Sequence, residues 1–126
     1  MPRLLPLPPT VAAEVRNVEY AEIAGEVVIP AGQTTGYVEL SLPATYVNLK
    51  SVRVYPAGYT GYYSIDVEDG TGKVVYRYTD MAGTLVDQVD LIVRSEGQTA
   101  VVRISIPAAQ TTETRFTVAL GLSYIA

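Results

Sequence analysis

The chain has no cysteine, no histidine and no tryptophan among its 126 residues, and only one phenylalanine and two methionines. Without cysteine there is no disulfide, thiolate metal site or thiol nucleophile. Without histidine the commonest general base and transition-metal ligand are gone. Carboxylates, hydroxyls and nine cations remain for chemistry, a set that points to a non-enzymatic protein with no cofactor and no metal. Basic charge is short as well: nine Lys and Arg against 13 Asp and Glu leave a net charge of −4. That sign opposes the phosphate backbone of nucleic acids. No apolar run approaches the roughly 18–20 residues of a membrane helix, so neither nucleic acid nor membrane is expected as a partner. Thermolabile residues are also scarce, with Asn17 and Asn48 the only asparagines, which points to a thermophilic source although the shortage of lysine runs against the usual trend.

What is present alternates with a period of two. Val38, Leu40 and Leu42 share one face of their segment, opposite Glu39 and Ser41. Tyr63, Ile65 and Val67 do the same, as do Val89, Leu91 and Val93, then Ala100, Val102, Ile104 and Ile106. The longest run sets Phe116, Val118, Leu120, Leu122 and Tyr124 against Thr117, Ala119, Gly121 and Ser123. Successive side chains of a strand point to opposite faces, so half-buried strands produce this pattern. Turn chemistry separates the runs: Asp69-Gly70-Thr71-Gly72 and Ser95-Glu96-Gly97-Gln98 read as tight hairpins, and Pro56-Ala57-Gly58 and Asp80-Met81-Ala82-Gly83 as further reversals. Pro30, Pro43, Pro56 and Pro107 fall at strand ends, where a missing donor is tolerated. The expected fold is all-β, an antiparallel β-sandwich of about eight strands, jelly-roll-like or immunoglobulin-like. Residues 10–25 admit either a helix stopped by Gly25 or a strand from about residue 14; the strand is preferred because the sheet needs partners.

The start, Met1-Pro2-Arg3-Leu4-Leu5-Pro6-Leu7-Pro8-Pro9, is too interrupted by proline to be an export signal. It reads as an extended polyproline-type arm. The chain thus divides into an arm over residues 1–13 and a sandwich over residues 14–126. An arm with so little capacity to pack on itself is expected to dock on a neighbour through Leu4, Leu5, Leu7, Pro8 and Pro9, the alternative being a fold back onto its own sandwich. Its Arg-x-x-Pro-x-x-Pro spacing also matches ligands of polyproline-reading grooves, a pattern that arises readily by chance.

Four further features bear on chemistry and assembly. Asp66, Glu68, Asp69 and Gly70 resemble the opening of a calcium loop, but its twelfth position is Arg77 and no bidentate acid stands there. The carboxylates that could serve glycoside hydrolysis, Asp66, Glu68, Asp87 and Asp90, read as outward or turn residues with nothing nearby to desolvate them. Four tyrosines cluster in residues 55–63, and Tyr59 and Tyr62 among Gly and Thr suit a protein contact or a sugar-stacking platform. Finally, Ile29-Pro30-Ala31-Gly32-Gln33-Thr34-Thr35 is echoed by Ile106-Pro107-Ala108-Ala109-Gln110-Thr111-Thr112, as similar corners or as a pseudo-repeat between the sheets.

An apolar N-terminal arm, a short cysteine-free sandwich, "IPAGQTTG"-type corners and a Tyr/Gly-rich loop together resemble small virion β-proteins of tailed phages, such as capsid decoration (cement) proteins and tail or fibre accessory domains. The resemblance lies in layout, and no site residues carry over from it. It implies a non-enzymatic subunit in the virion, made in the host cytoplasm, whose partners are capsid or other virion structural proteins. A homo-oligomer is implied too, a trimer being one option. A carbohydrate-binding or adhesin module using the Tyr loop, and a subunit of an extracellular filament, are the alternatives.

Overall fold

A computed structural model describes residues 17–95 and 97–125. The arm over residues 1–13, with Leu4, Leu5, Leu7, Pro8 and Pro9, lies outside the described residues. The chain forms eight strands: β1 Val18–Ile29, β2 Thr35–Ser41, β3 Tyr46–Pro56, β4 Tyr62–Glu68, β5 Val74–Ala82, β6 Leu85–Arg94, β7 Thr99–Ser105 and β8 Thr114–Ile125. They build two four-stranded antiparallel sheets, ordered β1-β8-β3-β6 and β2-β7-β4-β5. Of the two expected architectures, this order is the jelly roll: successive strands alternate between sheets, except at the β4–β5 hairpin.

The alternating faces land where their period puts them. Leu40, Leu42, Tyr63, Ile65, Val67, Val93, Ala100, Val102, Ile104, Ile106, Phe116, Val118, Leu120 and Leu122 are all buried between the sheets. The strand reading of residues 10–25 holds for the described part, with β1 beginning at Val18. It runs unbroken through Gly25, which pairs with Val118 of β8. Gly25 does not stop a helix; its missing side chain makes room, since a Cβ there would come within 2.7 Å of Leu40 Cδ2 from the opposite sheet.

Two turns differ from expectation. The reversal read over Asp80-Met81-Ala82-Gly83 falls only at its end, because β5 continues through Ala82 and β6 begins at Leu85. The segment around Ser95 and Gln98 is no hairpin, because β6 and β7 belong to different sheets. It is a corner, pinned where the buried Ser95 Oγ accepts from Thr99 N at 2.6 Å. Gln98 adopts a positive φ of 56° and its carbonyl accepts from Leu42 N at 2.6 Å, tying this corner to the β2–β3 connection.

The registers assign two ends to the sandwich. At the entry end β1 begins, β8 finishes, and the β2–β3, β4–β5 and β6–β7 connections gather. At the far end lie the β1–β2, β3–β4, β5–β6 and β7–β8 connections. The two echoed corners meet there. Gly32 N donates to Gln110 O at 2.9 Å and Ile106 N to Thr34 O at 2.8 Å. Both corners cross between sheets, one leaving β1 and the other returning to β8, and Ile29 and Ile106 each begin the echo buried in the core. The similar sequences therefore serve two similar crossings, lying side by side.

Candidate functional site

The tyrosine-rich loop joins β3 to β4 at the far end. Tyr59 folds across it: the ring meets Phe116 edge-on at a centroid distance of 5.7 Å, and the hydroxyl donates to Tyr62 O at 2.7 Å. Gly61 permits this, because a Cβ there would lie 2.5 Å from the Tyr59 hydroxyl oxygen. Phe116 also meets the Tyr63 ring, tilted, at a centroid distance of 5.0 Å, and the Tyr63 hydroxyl donates to Gly83 O at 2.6 Å. Burial pushes the Tyr63 hydroxyl up to about 12. Of the two tyrosines singled out in the sequence, then, Tyr59 spends its ring on the core and its hydroxyl on the loop, while Tyr62 presents its ring to solvent. Beside the loop a polar cleft of about 180 Å³ runs between Gly58, Tyr59, Gln110 and Glu113, smaller than the roughly 300–1,000 Å³ of a typical ligand pocket.

The carboxylates are taken up by structure. Asp66 accepts from Arg77 Nε at 2.7 Å and Nη2 at 3.1 Å, a bidentate fork. Glu68 accepts from Arg103 Nε at 3.2 Å, and Asp90 from Lys50 Nζ at 2.9 Å. Asp87 departs from the outward or turn position expected of it: it lies in β6, faces between the sheets and accepts the Tyr76 hydroxyl at 2.7 Å, joining β6 to β5. Burial first, and Asp87 second, push the Tyr76 hydroxyl well above its ordinary range. Asp69, which opens the expected β4–β5 hairpin turn, is buried. Its Oδ1 accepts from Thr71 N, Thr71 Oγ1 and Lys73 N at 2.9, 2.6 and 3.0 Å. Burial drives this carboxyl up, but the Thr71 hydroxyl and the Lys73 and Thr71 amides outweigh it and hold the group below its usual range. Among the described residues no group of three or more Asp and Glu converges as a metal cage would require.

The two outer faces of the sandwich differ. On the β2-β7-β4-β5 sheet the Asp66–Arg77 and Glu68–Arg103 pairs stand side by side, with the Arg103 guanidinium 5.4 Å from the Tyr37 ring centroid. On the β1-β8-β3-β6 sheet the middle carries Glu22–Arg53 and Lys50–Asp90 pairs. Its entry end is largely apolar: Val18, Tyr20, Tyr46, Ile92 and Ile125 are all exposed there, with the Arg94 guanidinium 5.8 Å from the Tyr46 ring centroid. A groove of about 260 Å³ runs among Val18, Tyr46, Ile92, Ser123 and Ile125. Sequence reading missed this surface, yet its signal was present. Ile92 occupies the outward phase of β6, between the polar Asp90 and Arg94, and with Val86 it is one of two exposed aliphatic residues in that phase.

No protein-family model matches the sequence, and no curated protein matches it significantly. Solved structures share its fold. A chain of the pili described as disulfide-linked Bacillus endospore appendages aligns over 88% of this chain and 90% of its own, with a TM-score of 0.54 and 14% identity. A chain of the cyanophage Pam1 capsid aligns over 88% of this chain and 94% of its own (TM-score 0.53, 17% identity). A capsid chain of the Helicobacter pylori bacteriophage KHP30 aligns over 86% and 94% (TM-score 0.50, 10% identity). The fold thus resembles that of phage virion β-proteins. The disulfide links of the pilus have no counterpart here, since this chain has no cysteine.

Proposed function

We propose that this protein is a non-enzymatic structural subunit of a viral particle, a capsid decoration (cement) or other accessory protein that docks on neighbouring virion subunits through Leu4, Leu5, Leu7, Pro8 and Pro9. The observation that carries the reading is the division of polar and apolar surface. The carboxylates examined for chemistry are each engaged by a partner within the fold, while large apolar side chains stand unshielded at the end where the leader joins β1. Surfaces of that kind mark contacts with other macromolecules. Three leucines at about 1.5–3 kcal/mol each provide substantial gross burial, and the prolines lower the ordering cost by stiffening the free arm. Repetition over a symmetric shell multiplies contacts that are individually weak. The likeness to phage capsid chains is compatible with this role.

The test is incorporation. Particles assembled with a chain lacking residues 1–10 should lose this subunit while the isolated truncated chain keeps its fold by circular dichroism. Full occupancy on particles without those residues would refute the arm's role. A filament subunit is the second reading, favoured by the likeness to a pilus chain. Electron microscopy of the native sample separates the two, by closed shells against open fibres.

A further inference from the structure

We infer that the apolar trough at the entry end of the β1-β8-β3-β6 sheet is the receptor for the leucine-bearing arm of a second copy of this chain. The inference rests on the structural-subunit reading above and names the partner. Across the four strands, register places Tyr20 beside Ser123, Ser123 beside Asn48, and Asn48 beside Ile92. One rung therefore reads large, small, small, large. With strands about 4.8 Å apart, the two walls stand roughly 14 Å from each other. Val18 and Ile125, paired with each other, and Tyr46 continue the apolar lining towards the sheet's end. The exposure is high for such residues: Tyr20 77%, Ile92 71%, Tyr46 58%, Ile125 50% and Val18 49%. Towards the middle of the sheet the Glu22–Arg53 and Lys50–Asp90 pairs close the trough off with charge. A trough with apolar walls, a floor of the small polar Ser123 and Asn48, and charge along one border has the mixed apolar and polar anatomy of a protein contact.

The chemistry of the occupant follows from the sequence. Residues 1–9 hold Leu4, Leu5 and Leu7 with a single charge at Arg3. Four of the nine are proline, which lacks the N–H needed to add a paired strand to a sheet edge. Such a segment docks by seating side chains in a groove. The donor is a second copy: β1 begins with Val18 at the trough's own border, and a connection of eight residues, the length of 10–17, spans up to about 26 Å when extended, enough for an arm to reach a neighbour's trough.

Because the chain has no natural cysteine, two single-cysteine forms of the full chain test this directly. Leu5→Cys protein is mixed with Ile92→Cys protein, oxidised mildly and run without reductant. A covalent pair between the two forms is expected, and Ile92→Glu should abolish self-association in sedimentation while retaining the circular-dichroism melt. Cross-linking only within single chains of a diluted Leu5→Cys, Ile92→Cys double variant would overturn the exchange between copies. Absence of any cross-link while assemblies still form would overturn the trough as receptor and leave the structural-subunit reading standing. A full-length chain that is monomeric at every concentration and absent from particles would overturn both.

Discussion

Asp69 closes the β4–β5 turn, and its replacement by asparagine should cost stability with a pH dependence of defined sign. The carboxylate is buried and its Oδ1 collects three donors, Thr71 N, Thr71 Oγ1 and Lys73 N, at 2.9, 2.6 and 3.0 Å. Hydrogen bonds to a charged group contribute about 1.5–3 kcal/mol and neutral ones about 0.5–1.5 kcal/mol. Asparagine keeps the shape and one accepting oxygen, so it removes the charge assistance. For three bonds sharing one atom beside solvent, that loss comes to about 1–2 kcal/mol in all. At about 4 °C per kcal/mol for a domain of this size, the melting temperature at pH 7 should drop by roughly 4–8 °C. The hydrogen bonds hold the folded-state carboxyl below its usual range, so it titrates at lower pH folded than unfolded. Its contribution is then fully present above the unfolded value near 3.9 and is lost as pH falls through the folded value. Urea denaturation of the natural protein and Asp69→Asn at pH 7 and about pH 2–3 should show the gap between them narrowing in acid. A gap that stayed constant or widened would mean that the carboxylate is not the stabilising species, and the assignment of the turn would fail.

Two further changes probe the seams between the sheets. Gly36 of β2 lies so near β1 that a Cβ there would sit 2.3 Å from Val28 O, a backbone atom. Gly36→Ala should therefore cost about 1–3 kcal/mol in urea denaturation, and unchanged stability would contradict the close approach. Tyr63→Phe removes the bond to Gly83 O and should cost about 1 kcal/mol near neutral pH. Because burial pushes that hydroxyl up to about 12, its contribution is intact below an unfolded value near 10 and disappears as pH rises from there. Tyr63→Phe should consequently lose less stability than the natural protein between about pH 9 and pH 11, and equal losses would refute the assignment.

The strands legible in the sequence were those with an undisturbed period of two. The alternation of β4, β7 and β8 gave the inward residues correctly because each strand has a partner on both sides, or nearly so, and one face on the core. β3 was not resolved in the same way. Its register shifts between Leu49 and Ser51, so the inward set jumps from Val47 and Leu49 to Val52 and Val54, and no single period spans it. β5 is an edge strand with two such shifts in its pairing to β4, and Asp80 stands in a left-handed conformation at φ 56°. Its pattern hides Tyr76 as the one fully inward aromatic. The turn around Ser95 was misread for another reason: the same residues suit a hairpin and a crossing between sheets, and only the pairing of distant strands distinguishes them. The exposed groove went unread because alternation was used to find the core, whereas the outward phase held the informative exceptions.

The two surfaces that could meet a neighbour lie at opposite ends of the sandwich. Tyr62 stands at the far end, and the apolar trough with the root of the arm at the entry end. A two-fold dimer uses one patch on itself and leaves the other idle. A subunit that donates an arm from its entry end into the trough of the next copy makes a two-fold dimer where the exchange is reciprocal, and otherwise a heterologous contact, which closes into a ring if the rotation permits or extends as a fibre. The proposed exchange is thus compatible with both the shell and the filament. The rotation between successive copies separates those outcomes, and the length of the stretch joining the leucines to β1 is a way to vary it. Lengthening that stretch should change the symmetry of the assembly before it changes the affinity of the contact, since the loop-closure cost of added residues grows only slowly with length.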